Sequence, residues 1–121
     1  GYQAAVLSQL CRRVYTIERH RSLLKETTQR LARLGIHNVT AIVGDGARGW
    51  SEQAPFERII VTAAAKVAPP ALEDQLAVGG IMVIPIGKRS WSQKIVRLRR
   101  SEEGFETEKL WPVRFVPLIG D

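Results

Sequence analysis

The sequence contains few of the residues and runs that form disulfides, metal sites, catalytic side-chain sets or membrane-spanning helices. Its one cysteine, Cys11, excludes a disulfide within the chain. The two histidines, His20 and His37, show no metal-ligand spacing, and no Ser-His-Asp set or nucleophile elbow is present. The longest apolar run, near residues 78–86, is far shorter than the roughly 20 residues of a membrane-spanning helix. We therefore predict surface histidines, no metal site, no catalytic side-chain set and no membrane association.

The remaining composition is that of an ordinary globular domain. Apolar residues make up 45% and charged residues 25% of 121 residues, which is enough for one domain with a core. Cys11 follows Ala4 and Leu7 on the apolar side of a helical stretch, and this predicts a small buried side chain. A lone unpaired cysteine is typical of a reducing compartment, so we expect a cytoplasmic protein.

The chain is basic, with a formal net charge of +6. Such a charge would fit nucleic-acid binding. However, the basic residues are scattered, apart from a cluster formed by Arg97, Arg99 and Arg100, and no aromatic side chains are interleaved with them. A solvated basic face is therefore favoured, and we predict no nucleic-acid partner.

Helical and strand patterns alternate along the chain. They predict helices over about 2–10, 24–34 and 69–76, and strands over 14–18, 38–43, 58–62 and 81–86. The almost wholly apolar strand at 58–62 should be covered on both faces. A strand with one wet face is predicted over 94–100, followed by a turn at 102–104 and by a strand pair or one bent strand over 105–118. Long connections favour parallel pairing and short turns favour antiparallel pairing. The fold class is therefore α/β, with a mostly parallel sheet and an antiparallel C-terminal part.

An acidic residue, Glu18, ends the first predicted strand. The carboxyl ends of strands are where doubly wound folds bind nucleosides. A carboxylate can accept hydrogen bonds from both hydroxyls of a ribose. Alternatively, Glu18 is a surface residue that starts the next helix and complements its dipole. The residue alone does not decide between these interpretations.

A second acid, Asp45, lies between Gly44 and Gly46 after the next predicted strand. The glycines permit a close approach of the backbone to a ligand, and the aspartate can accept from an exocyclic amine. A tight turn explains the same residues, because Asp-Gly is common in turns. Small residues after the strand at 58–62, Thr62 to Ala65, would let a ligand lie against the backbone or simply end the strand.

Taken together, these segments are more specific than any one of them. In chain order they are Gly1-Tyr2-Gln3-Ala4-Ala5, the strand ending at Glu18, Val43-Gly44-Asp45-Gly46, Ala54-Pro55-Phe56, Ile60-Val61-Thr62-Ala63-Ala64-Ala65, Pro69-Pro70-Ala71-Leu72, Asp74-Gln75-Leu76, Val78-Gly79-Gly80 and Val113-Arg114-Phe115-Val116-Pro117-Leu118. Over essentially its whole length the chain resembles the protein-L-isoaspartate O-methyltransferase family.

The resemblance implies a Rossmann-like, S-adenosylmethionine-dependent methyltransferase fold. Residues 1–121 would be the C-terminal part of a single methyltransferase domain that lacks its first central strand. The implied activity is protein repair, by methylation of the free α-carboxylate of L-isoaspartyl residues in damaged proteins or peptides. The implied cofactor ligands are Glu18 at the ribose, Asp45 and Gly46 at the adenine, and Gly1 at the methionine part. The backbone at Val116 would help to hold the substrate peptide.

The family also carries an upstream segment that this sequence does not show. It supplies the first strand, most of a glycine loop and a hydroxyl residue that touches substrate, so we expect the chain alone to be inactive. The absence of a catalytic side chain is no objection, since a substrate carboxylate with an ordinary pKa near 4 is already ionised at neutral pH. Two alternatives remain, namely a nicotinamide-dependent Rossmann oxidoreductase and a non-catalytic basic nucleic-acid-binding module.

Overall fold

The computed structural model describes residues 1–118, without the side chain of Ser90. The helices are α1 (Tyr2–Ser8), α2 (Arg21–Arg33) and α3 (Pro70–Gln75). The strands are β1 (Val14–Glu18), β2 (Val39–Val43), β3 (Phe56–Ile60), β4 (Leu76–Ile86), β5 (Lys94–Ser101) and β6 (Gly104–Pro112). Short 3-10 turns cover Gly46–Arg48, Ser51–Gln53 and Ser90–Ser92. No helix within residues 1–118 is both long and apolar enough to cross a membrane.

The chain divides into two compact units, residues 1–45 and 46–121. In the first unit β1 and β2 form a parallel pair, in register from Val14 opposite Val39 to Glu18 opposite Val43. Helix α2 connects them, because two parallel strands require a crossover. The amide of Asn38, just before β2, donates to the carbonyls of Ser8 and Cys11 at 2.9 and 3.0 Å. The end of α1 is thereby fixed at the amino end of the strand pair.

The second unit is a four-stranded sheet in the order β3-β4-β5-β6. Strands β3 and β4 are parallel, whereas β4 with β5 and β5 with β6 are antiparallel. The core lies where α3 packs on β4 and β5, and its buried members are Leu72, Leu76, Met82, Ile84, Val96 and Leu98. The predicted α/β class and the antiparallel C-terminal part are confirmed. Among the described strands, β1, β2, β3 and β6 each have one hydrogen-bonded neighbour.

Two predictions about burial are wrong. Cys11 is exposed, because α1 ends at Ser8 and the chain leaves the helical face before it. The strand predicted at 58–62 lies at Phe56–Ile60 and is not covered on both faces, since Ile60 is 45% exposed. The reason is its position at the edge of the four-stranded sheet. Both histidines are exposed, as predicted.

The boundaries around Gly79 and Gly80 also differ from the prediction. The strand predicted at 81–86 starts earlier, since β4 begins at Leu76, directly after α3, and passes through both glycines. Gly79 has a positive φ of 84°, which glycine adopts readily, and the β3–β4 register shifts just before Ile81. At the C-terminal side, β6 ends at Pro112, and residues 113–118 are irregular apart from a bridge at Pro117.

An arginine on β5 fixes the end of α3. The guanidinium of Arg100 donates to the carbonyl oxygens of Leu76 at 2.7 Å and Asp74 at 3.1 Å. The last carbonyls of a helix have no partner within the helix, so a side-chain donor here stabilises the helix end. The same guanidinium lies 5.8 Å from the ring centre of Phe105.

We expect Arg100→Met to lower the free energy of unfolding by about 1–3 kcal/mol, since it removes charge-assisted hydrogen bonds and keeps most of the apolar stem. The matched control is Arg99→Met, because Arg99 is exposed on the same strand. Urea unfolding followed by far-ultraviolet circular dichroism measures both. Equal stability of the two variants would contradict the assigned role of Arg100.

Candidate functional site

The two predicted acids lie at the carboxyl ends of neighbouring strands. Glu18 is opposite Val43, and the N–H of Gly44 donates to the carbonyl of Glu18 at 3.0 Å. Asp45 is the next residue. With strands about 4.8 Å apart and about 3.3 Å per residue along them, the Cα atoms of Glu18 and Asp45 lie within about 12 Å. This separation is one that a single nucleoside can bridge.

The carboxylate of Glu18 takes part in the start of α2. Its Oε1 accepts a hydrogen bond from the backbone N–H of His20 at 3.0 Å, and His20 is the N-cap of that helix. The alternative interpretation of Glu18 as a helix-starting residue therefore has structural support, although the side chain is half-buried rather than fully exposed. A carboxylate offers about four acceptor positions, so one bond to His20 leaves acceptor capacity for two hydroxyl donors.

The glycines beside Asp45 are not required by the backbone conformation. A 3-10 turn begins at Gly46, in line with the tight-turn interpretation, and neither Gly44 nor Gly46 is among the glycines of residues 1–118 with positive φ. A Cβ atom at Gly46 would come no closer than 4.0 Å to another side chain, that of Leu118. This space would let another group approach the backbone at Gly46.

Gly1 precedes α1 and lies against the middle of α2. The carbonyl of Gly1 accepts from the N–H of Ala5 at 3.0 Å. A Cβ atom at Gly1 would lie 3.1 Å from two side-chain atoms of Thr27, so glycine permits this approach of α1 to α2. A cleft of about 130 Å³ lies beside it.

The loop after Asp45 is held by a buried glutamine. The side-chain Oε1 of Gln75 accepts from the N–H of Trp50 at 2.8 Å, and its Nε2 donates to the carbonyl of Arg48 at 2.9 Å. Gly49, between them, has a φ of +65°, and a Cβ atom there would lie 2.2 Å from Oε1 of Gln75. The loop from Gly46 to Trp50 is thus tied to α3 at both sides of a residue that has to be glycine.

Val116 belongs to the second unit and lies in the irregular segment after β6. Its carbonyl accepts from the N–H of Ala64 at 2.8 Å, and the N–H of Leu118 donates back to Ala64 at 2.8 Å. The side chain of Val116 is 71% exposed. The small residues at 62–65 therefore do more than end a strand, because Ala64 pairs with the segment that carries Val116.

Two buried glutamines, Gln75 and Gln93, were not predicted as members of the site. They are 8% and 5% exposed. Helical spacing could have indicated Gln75, since it shares the face of Leu72 and Leu76. The period of two could have indicated Gln93, which shares a strand face with Ile95. Both patterns predict that the glutamine side chain is buried, but neither predicts which groups it bonds to.

Two of the three clustered arginines bond to other groups of the chain. Arg97 forms an ion pair with Glu108 on β6, and Arg100 is bonded to the end of α3. Arg99 is exposed. This distribution fits a solvated sheet face better than a nucleic-acid contact surface. Within residues 1–118, no three His, Cys, Asp or Glu side chains come together as a metal site would require.

Comparison with known proteins gives a consistent result. The family model described as Protein-L-isoaspartate(D-aspartate) O-methyltransferase matches residues 1–121. The protein-L-isoaspartate O-methyltransferase of Rhodospirillum centenum is 63% identical over 122 residues, which cover 100% of this chain and 55% of that protein. That of Rhodospirillum rubrum is 61% identical over 121 residues, covering 98% and 55%. The chain spans about half the length of the curated relatives it matches.

Solved structures agree with the sequence relatives. One protein-L-isoaspartate O-methyltransferase has a TM-score of 0.90 at 30% identity, covering 99% of this chain and 39% of its own. A putative protein-L-isoaspartate O-methyltransferase from Plasmodium falciparum, in complex with S-adenosyl-L-homocysteine, has a TM-score of 0.76 at 26% identity, covering 90% and 53%. These findings give no support to the oxidoreductase or to the nucleic-acid-binding module.

The two glycines of the loop should respond differently to substitution. We expect Gly49→Ala to lower the free energy of unfolding by at least about 2 kcal/mol, since a Cβ atom is strained at positive φ and displaces Gln75. Gly46→Ala should change it by less than about 0.5 kcal/mol. Thermal unfolding of the two variants measures the difference. A stable Gly49→Ala variant would show that Gln75 does not hold this loop.

Proposed function

Since the chain belongs to the protein-L-isoaspartate(D-aspartate) O-methyltransferase family, we propose that residues 1–121 form the C-terminal part of one methyltransferase domain. The whole enzyme would transfer a methyl group from S-adenosylmethionine to the free α-carboxylate of L-isoaspartyl residues in damaged proteins or peptides. The observation that carries this proposal is the placement of Glu18 and Asp45 at adjacent strand ends in a chain of this family.

The residues that follow β1 and β2 would suit an adenosine group. Glu18 has acceptor capacity for the two ribose hydroxyls while it remains bonded to His20. Asp45 would accept from the exocyclic amine of the base, and Gly46 would let the base approach the backbone. Gly1 would contact the methionine part. When bound, the cofactor supplies a methyl group that its sulfonium sulfur already activates.

The residues of this chain would bind and orient, without proton transfer. A carboxylate substrate is ionised at neutral pH, so no general base is needed. The backbone at Val116, whose carbonyl has a second lone pair beside the bond from Ala64, would hold the peptide. Alignment of the attacking oxygen with the methyl carbon is the main contribution that such a site makes to the rate.

We place this activity in the cytoplasm. The support is the unpaired and exposed Cys11, which a reducing compartment keeps as a thiol. The proposed partners are proteins and peptides that contain isoaspartyl residues.

The test is methyl transfer by a chimera. The chain is joined to the part of the Rhodospirillum centenum relative that it does not match, and labelled S-adenosylmethionine is supplied. We expect label to enter an isoaspartyl peptide and not the same peptide with ordinary aspartate, whereas the chain alone should give no transfer above background. Equal labelling of both peptides, or none by a folded chimera, would refute the proposal.

The role of Glu18 is tested by Glu18→Gln in the same chimera. The amide oxygen still accepts from His20, so α2 should start normally, but charge-assisted bonds to the ribose are lost. We expect the Kd for S-adenosylhomocysteine to rise about ten- to a hundredfold. Calorimetric titration measures it, and Glu26→Gln on the exposed side of α2 is the matched control. An unchanged Kd would assign Glu18 to helix initiation alone.

A further inference from the structure

The two buried glutamines of the second unit share one arrangement. Each directs both polar atoms of its side-chain amide to backbone groups in an irregular segment, and neither side-chain amide is exposed. A primary amide presents an acceptor and a donor side by side, as the C=O and N–H of one residue in an adjacent strand do. Such a side chain can therefore satisfy buried backbone where no strand is available.

Gln93 holds the segment that carries Val116. Its Oε1 accepts from the N–H of Phe115 at 2.6 Å, and its Nε2 donates to the carbonyl of Phe115 at 3.2 Å. The backbone carbonyl of Gln93 also accepts from the N–H of Val113 at 3.1 Å. With the bond from Ala64 to Val116, successive residues of this segment are anchored from different elements.

A glycine makes room for each glutamine. Gly49 leaves space for the side-chain oxygen of Gln75, as described above. A Cβ atom at Gly87 would lie 2.6 Å from the Cα atom of Gln93, so only glycine permits the backbone at Gln93 to come this close. The space left by Gly49 is thus filled by the side chain of Gln75, and the space left by Gly87 by the backbone at Gln93.

The segments that the glutamines hold are those of the proposed ligand contacts. Gln75 bonds the loop that begins at Gly46, the residue proposed at the adenine. Gln93 bonds Phe115, the neighbour of Val116, which is proposed at the peptide. Among the hydrogen bonds of the described residues, Gln75 makes none to the segment around Phe115, and Gln93 makes none to the loop after Gly46.

We propose that Gln75 and Gln93 are positioning residues with separate tasks. Gln75 sets the cofactor-binding loop, and Gln93 sets the substrate-binding segment. Each acts through backbone hydrogen bonds and touches neither ligand. The inference rests on the proposed function, because it assigns the two segments to two different ligands.

Steady-state kinetics of the chimera separate the two tasks. We expect Gln75→Met to raise the KM for S-adenosylmethionine about tenfold and to leave the KM for the isoaspartyl peptide within about twofold. Gln93→Met should raise the KM for the isoaspartyl peptide about tenfold and leave the KM for S-adenosylmethionine within about twofold. The control is Gln53→Met, which replaces an exposed glutamine in the second unit and should change neither KM. Equal changes of both KM values in both glutamine variants would overturn the proposal.

Conservative variants keep the test usable if a methionine variant does not fold. Gln75→Glu retains the acceptor for Trp50 and loses the donor to Arg48, and Gln93→Glu retains the acceptor for Phe115. Each should change its own KM in the direction of the methionine variant but by less. A glutamate variant that behaves like the wild type would show that the amide donor has no positioning role.

Amide hydrogen exchange on this chain gives a readout that does not need activity. Exchange at Trp50 should accelerate in Gln75→Met and not in Gln93→Met, and exchange at Phe115 should show the opposite pattern. An inactive wild-type chimera with selective exchange would refute the proposed function, and with it the assignment of the segments to two ligands, while showing that each glutamine holds its own segment. Normal turnover without selective exchange would refute the positioning roles alone.

Discussion

The parallel pairing of β1 with β2 is the constraint on which the proposed site depends. It puts Glu18 opposite Val43, so that the chain brings a second acid to the same end two residues later. A slip of one residue would turn the side chains of β1 to the opposite face. Asn38 stabilises this register, since its side chain joins the start of β2 to the end of α1. The geometry at the carboxyl end is thus determined partly by contacts at the amino end.

The second unit meets a different constraint, the satisfaction of backbone groups in irregular segments. Irregular segments have few strand partners, and unpaired buried N–H and C=O groups are unfavourable. Side chains and short bridges take the place of strands here. Gln75 forms hydrogen bonds to the loop after Gly46, and Arg100 forms them to the end of α3. The segment around Val116 is bonded by Gln93 and Ala64. Each of these contacts joins residues that lie far apart in the sequence.

Local patterns predicted the elements well where β-branched and aromatic residues, or one periodicity, dominate. The strand at Val14–Glu18 and the alternation of exposed Arg97 and Arg99 with buried Val96 and Leu98 are examples. They failed where the environment decides. Cys11 and Ile60 are apolar enough for a core, yet a short helix exposes one and an edge position exposes the other. Burial depends on which elements pack nearby, and the periodicity of a sequence carries no information about that.

By itself, the sequence determined the α/β class, the order of the elements, the two acids at strand ends and the family. These follow from local pattern and from motifs in a fixed order. Only the tertiary structure decided that Gly44 and Gly46 have no conformational need to be glycine, and that Gln75 and Gln93 bond to Trp50 and Phe115. The physical reason is that hydrogen bonds between distant segments depend on how the chain folds back on itself, and no short stretch of sequence records that.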